Sequence, residues 1–147
     1  MSGIKSAVLA AVLGSVVAAC STDSTGNGLP NVVGAWTITK FEFTSSANPA
    51  TKTDLKAAGG SGTITFNSNN TWAVAFTLPG QGAFNSSGTY TETAATLTIT
   101  VTSDTPPEII TFDMVVSGAT LSLTGGSADF DFGAGDVPAH LTIIATK

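Results

Sequence analysis

The chain has 147 residues, and its five lysines, with no arginine, face ten aspartates and glutamates, so its formal net charge is −5 with the single histidine neutral. That balance excludes a nucleic-acid-binding surface, which needs clustered Lys and Arg against phosphate, and argues against charge-driven docking on anionic lipid. One cysteine, Cys20, leaves no intramolecular disulfide to form.

Met1 to Ala19 has the three-part layout of a secretory signal: Lys5, a small-and-apolar run from Ser6 to Ala19, and small residues before Cys20. The run is about 14 residues, too short to cross roughly 30 Å of hydrocarbon as a helix. Val17-Ala18-Ala19-Cys20 resembles the lipobox of bacterial lipoproteins. That resemblance implies removal of residues 1–19, a diacylglycerol on the Cys20 thiol, and acylation of the new amine by a chain such as palmitate. The product would be held to a membrane of the cell envelope, and Ser21 rather than Asp after the cysteine implies the outer membrane. Several chains on one residue hold firmly where a single chain binds marginally. The alternative is a plain signal peptide with a chance cysteine. Residues 20–30, polar and rich in Gly, Ser and Thr, read as a flexible tether. Residues 31–147 are then one domain able to bury a modest core.

In that domain, Val32 to Phe43 opens as a long strand. Thr63 to Phe66 and Thr71 to Leu78 follow, joined by the turn-prone Asn67-Ser68-Asn69-Asn70. In the latter strand Trp72, Val74, Phe76 and Leu78 share one face, a clean period of two. Phe84 to Thr93 and Thr96 to Thr102 come next, with Leu97, Ile99 and Val101 inward and threonines outward. Ile109 to Val116 puts Ile110, Phe112, Met114 and Val116 on one face, and Thr120 to Thr124 and Leu141 to Thr146 complete the set. Ala95 to Thr100 and Ala119 to Thr124 are near-copies, consistent with successive hairpins, since two copies are too few to stack as a solenoid. Only Asn48 to Gly60 reads as weakly helical, with Gly59 as its stop. Eight or nine short strands without crossover helices predict an all-β, antiparallel fold. Sequential hairpins favour an up-and-down, eight-stranded barrel, because closure removes exposed edges.

Gly34-Ala35-Trp36 at the first strand, Gly88-Thr89-Tyr90, the Thr/Leu hairpins and Asp129-Phe130-Asp131-Phe132 followed by Pro138-Ala139 resemble the small lipocalin-like domains of bacterial lipoproteins. The resemblance spans about residues 31 to 147 and implies a barrel closed at one end by the Trp36 indole, with a cavity for a small hydrophobic ligand. In lipocalins an arginine near the last strand packs over that tryptophan. This chain has none, and Lys147 is the cation available to take its place.

Trp36, Trp72, Phe76, Tyr90 and Phe112 are the candidates to line such a cavity, and they could equally fill a small barrel completely. Lys40 and Glu42 share the parity of Trp36 and Ile38, opposite to Phe41 and Phe43. Either a β-bulge near Thr39-Lys40 flips the register and turns the phenylalanines inward, or Lys40 and Glu42 are polar handles inside the barrel. Asp129, Asp131 and Asp136 superficially suggest a calcium loop, but plain alternation explains them with two Phe in and two Asp out. His140 opposes Leu141 and Ile143 in parity and is placed on the outer face. No nucleophile elbow, phosphate-cradling loop or His/Cys metal cluster is present in the sequence, so the expectation is a non-enzyme without metal or cofactor. The segment from Thr44 to Gly62 is the longest connection and would cover the open end. The expected function is binding of a small apolar or amphipathic molecule by a lipid-anchored monomer. The alternative is a structural or interaction module with a filled core.

Overall fold

The computed structural model of the protein describes Ser24–Thr25 and residues 29–147. The signal segment and Cys20 lie outside the described residues, as does most of the tether. Within the tether, Ser24–Thr25 pairs antiparallel with Leu29–Pro30.

Eight strands make the barrel: β1 Gly34–Ser45, β2 Ser61–Phe66, β3 Thr71–Leu78, β4 Gly82–Glu92, β5 Thr96–Val101, β6 Glu108–Ser117, β7 Thr120–Asp131 and β8 Asp136–Thr146. Each pairs antiparallel with the next, and β8 returns to β1 from Ala139↔Ser45 to Thr146↔Thr37. The sheet therefore closes into an up-and-down barrel with no free edge. Because the strands alternate in direction, one end of the barrel gathers the start of β1 and the hairpins β2–β3, β4–β5 and β6–β7. The other end gathers the end of β1 and the hairpins β3–β4, β5–β6 and β7–β8. All eight barrel strands and the buried core of the described residues lie between Val32 and Thr146.

The alternation expected from the sequence is what the strands show. On β3, Trp72, Val74 and Phe76 are buried while Ala73, Ala75 and Thr77 are exposed. On β5, Leu97, Ile99 and Val101 are buried, and Thr98 pairs across the outer face with Thr111 through their hydroxyls at 3.0 Å. Buried aromatic and branched side chains from every strand meet in one core.

Two bulges correct the parity. On β1, Ile38 faces Ala145 and Lys40 faces Ile144, so Thr39 is the extra residue, and its hydroxyl donates to the Ile144 carbonyl at 3.1 Å. Past that point Phe41 opposes Ile143 and Phe43 opposes Leu141, on the inner face. On β7 a second bulge lies between Leu123 and Gly126, where Gly125 has φ +76°. That is a conformation glycine adopts without steric cost. It lets β7 run on to Asp131 and β8 start at Asp136, well beyond the strands expected at Thr120–Thr124 and Leu141–Thr146. The sequence pattern stops at Thr124 because the bulge interrupts the period of two there.

The segment expected to be weakly helical is not a helix. It holds a short strand, Lys52–Asp54, paired to Glu42–Thr44, and then a single capped turn. Asp54 Oδ1 accepts from the backbone N–H of Lys56 at 2.9 Å and of Ala57 at 3.2 Å, as an N-cap does. Gly59, at φ +95°, ends the turn, with Gly60 N–H donating to the Leu55 carbonyl at 3.0 Å. Thr51 and Thr53 are β-branched and favour the extended form before it.

Candidate functional site

One end of the barrel is shut by side chains. Gly34 takes φ +127°, which a side-chain-bearing residue rarely adopts, and two residues later Trp36 is fully buried. Its indole N–H donates to the Val32 carbonyl at 2.7 Å. Lys147 Nζ stands 4.3 Å from the indole centroid and donates to the Val33 carbonyl at 3.2 Å. The ammonium therefore caps the tryptophan in the place left by the missing arginine. Beside it Tyr90 packs edge-on against Phe66, centroids 5.1 Å apart, and its hydroxyl donates to the Asn67 carbonyl at 3.1 Å. Burial, and then the charge of Glu92, raise the Tyr90 phenol above its ordinary range.

The opposite half is hollow. A cavity of about 530 Å³ opens there, within the size range of small-molecule sites. Its walls are Phe41 and Phe43 from β1, Trp72, Val74 and Phe76 from β3, Ile99 and Val101 from β5, Ile110 and Phe112 from β6, and Leu141 and Ile143 from β8. Leu55, on the capped turn between β1 and β2, also lines it, so the 44–62 connection does reach over the open end. Phe76 meets Phe41 edge-on at 4.9 Å, and Phe43 stacks on Phe130 at 4.2 Å. Phe84, 51 % exposed, stands on the lip. A smaller hollow of about 280 Å³ between Thr63, Thr65, Ala73 and Ser87 involves mostly outward-facing residues and shares Val74, Asn85 and Ser86 with the cavity wall.

Of the seven residues singled out from the sequence, Trp72, Phe76 and Phe112 line the cavity. Trp36 and Tyr90 belong to the closed end and are not in its walls. Lys40 and Glu42 are not handles inside the barrel: the bulge at Thr39 puts them opposite Ile144 and Thr142 on the outer face, where they pair with each other at 3.1 Å. Phe41 and Phe43 take the inward places instead. The sequence offered that alternative through the parity conflict itself. Phe130 takes the inward place that alternation gave it, whereas Ala128 was harder to find, since the β7 bulge breaks the pattern that would place it.

Charge in the cavity is of one sign. Glu108 is the next inward position along β6 from Ile110, and Asp104, on the β5–β6 connection, and Asp129, on β7, stand at the same mouth. Burial, and then the charges of Asp104 and Asp129, raise the Glu108 carboxyl above its ordinary range. Asp131 is otherwise engaged: its carboxylate accepts the backbone N–H of Gly133 at 2.7 Å and of Gly135 at 2.9 Å, which lowers its pKa and forms the β7–β8 turn. Among the described residues no group of three or more His, Cys, Asp and Glu side chains is placed to hold a metal. His140 is exposed on the outer face between Ser127 and Thr44.

No curated protein matches the chain. A family described as the lipocalin-like domain matches residues 32–123, from the residue that receives the Trp36 indole to the last inward leucine before the β7 bulge. With most of its length matched and the barrel closed as described, the chain belongs to the lipocalin-like domain family.

Proposed function

We propose that the barrel binds a small apolar or amphipathic molecule in its open half, and that the protein is held to an envelope membrane by acylation of Cys20. The observation that carries the first part is the cavity of about 530 Å³, walled by aromatic and branched side chains and open at one end beneath Leu55. A structural module has no use for such a void, because an empty apolar cavity forfeits the contacts its lining would make. The alternative of an interaction module would rest on exposed apolar surface. Ile109 and Val115 are exposed at 68 % and 61 %, but Thr111 and Asp113 separate them on the same face of β6, and isolated exposed residues are ordinary.

Native mass spectrometry of residues 21–147 purified from the host is the direct test. A reproducible adduct that disappears in Phe76→Ala, with the barrel intact by circular dichroism, is the expected result. A bare mass, with no uptake of neutral hydrophobic dyes, would sink the binding reading. The anchor is tested apart from this, by labelling cells with an alkyne-tagged palmitate. The chain should take up label, and Cys20→Ser should not.

A further inference from the structure

The cavity's charged groups all come from one end and carry one sign. On β6, inward positions run Glu108, Ile110, Phe112, so a single carboxylate ends an otherwise apolar column. Asp104 and Asp129, both exposed, stand at the rim, Asp129 on the outward parity between Ala128 and Phe130. Neutral acceptors and donors at that mouth are Gln81, Asn85 and Ser86. Among the described residues no lysine, arginine or histidine lines the cavity. Lys40 faces outward and is paired with Glu42, Lys147 sits over Trp36 at the far end, and Lys52 and Lys56, on the connection that carries Leu55, stand outside the lining.

From this arrangement we propose that the ligand is an amphiphile with an apolar body and a cationic head, an amine or quaternary ammonium, and that fatty-acid anions are excluded. The inference rests on the cavity-binding reading above and deepens it. An apolar tail satisfies the Phe41, Phe76 and Phe112 walls. The head then remains at the mouth between Glu108, Asp104 and Asp129, where an ammonium relieves mutual repulsion and a carboxylate adds to it. Burial first, and then the charges of Asp104 and Asp129, raise the Glu108 carboxyl, in keeping with that repulsion. A ligand carboxylate would meet only like charges among the charged residues of the lining, which disfavours it.

The test uses three probes of one tail length, dodecylammonium, dodecanol and dodecanoate, each below its micellar concentration, in calorimetric titrations of residues 21–147 at neutral pH. At the dielectric of a half-open mouth, carboxylates a few ångströms from the head should favour ammonium over carboxylate by roughly tenfold or more, with dodecanol between. The preference should shrink as salt is raised, because the screening length falls from about 30 Å at 0.01 M to about 10 Å at 0.1 M. Glu108→Gln and Asp129→Asn should each reduce the preference severalfold, while Asp113→Asn, on the outer face of β6, should leave it unchanged. Dodecanol binding without that preference, or with dodecanoate tightest, would overturn the inference and leave the cavity reading standing. Failure of all three probes to bind would overturn both. Equal loss of preference in Asp113→Asn would assign it to the net charge of the protein and overturn the role of the mouth.

Discussion

The two ends of the barrel are built from the same eight strands on the same alternation, yet one is solid and the other hollow. At the closed end the inward places hold Trp36, Phe66, Tyr90, Leu97 and Leu121, each at most 4 % exposed. Toward the open end they hold large rings as well, Phe41, Phe76 and Phe112, with Val74, Val101 and Ala128 between them, and these line the cavity instead of filling it. Strand number sets the width of a barrel. How the side chains pack across it then decides whether that width is filled. Polar groups follow the same division: the indole, phenol and ammonium of Trp36, Tyr90 and Lys147 are tied to backbone carbonyls, whereas the carboxylates at the mouth are exposed to solvent.

If the closed end is the stabilising half, emptying it should do the most damage. Trp36→Ala removes a fully buried indole and its bond to Val32, and large-to-small changes of this kind cost about 3–5 kcal/mol. Urea unfolding followed by far-ultraviolet circular dichroism should show a loss of that size. Phe43→Ala, in the half-buried stack with Phe130, should lose far less, about 1 kcal/mol. A similar loss in both would break the comparison.

Filling the open half should be harmful in a different way. A Cβ on Gly126 would run into the Phe112 ring. Gly126→Ala should therefore force that ring aside at a cost of about 1–3 kcal/mol, seen in the urea midpoint, because overpacking strains a tight core. The displaced ring would also narrow the cavity, so uptake of a neutral hydrophobic dye should fall along with stability.

How these halves differ in the sequence explains what could be read from it. Strands with an unbroken period of two, such as Thr71 to Leu78 and Thr96 to Val101, announce both their extent and their buried face. The closed end was legible as well, through Gly34-Ala35-Trp36 and the lone cation at Lys147. The open end was less so, because two bulges reset the parity just where the cavity begins. At Thr39 the reset brings Phe41 and Phe43 in and turns Lys40 and Glu42 out, and the conflict of parities was visible even though its resolution was not. At Gly125 no conflict showed, since Gly125-Gly126-Ser127 carries too little hydrophobic signal to reveal a continuing strand. The capped turn at Asp54 to Gly59 has the start and stop residues of a helix around a single turn, which periodicity alone cannot measure. Charge at the mouth depends on three loops and strand ends meeting, a long-range fact that spacing does not encode.

A smaller effect separates the ends further. Lys147→Ala removes the ammonium over Trp36 and its bond to the Val33 carbonyl, interactions worth about 0.5–1 kcal/mol at a partly exposed site. The melting temperature should drop by a few degrees, and dye uptake at the other end should not change. Parallel loss of uptake would mean that the cap supports the cavity across the whole barrel.

The smallest expected effect comes from a carboxylate at the closed end. Glu92 follows Tyr90 by two residues, one Oε atom is buried with no hydrogen-bond partner among the described residues, and burial raises its pKa. A carboxyl whose folded pKa is raised contributes no penalty below the ordinary carboxylate range. It destabilises the fold as pH rises through the raised value, because the unfolded chain then holds the charge more easily. Glu92→Gln should therefore match the parent protein in acid and exceed it at neutral pH. The group is only partly buried and its charge is partly screened, so the gain should stay below about 1 kcal/mol. Thermal melts across that pH range will show the two curves diverging upward from the carboxylate range. Curves that stay parallel would mean that water reaches Glu92, and that the closed end is less dry than its aromatic neighbours imply.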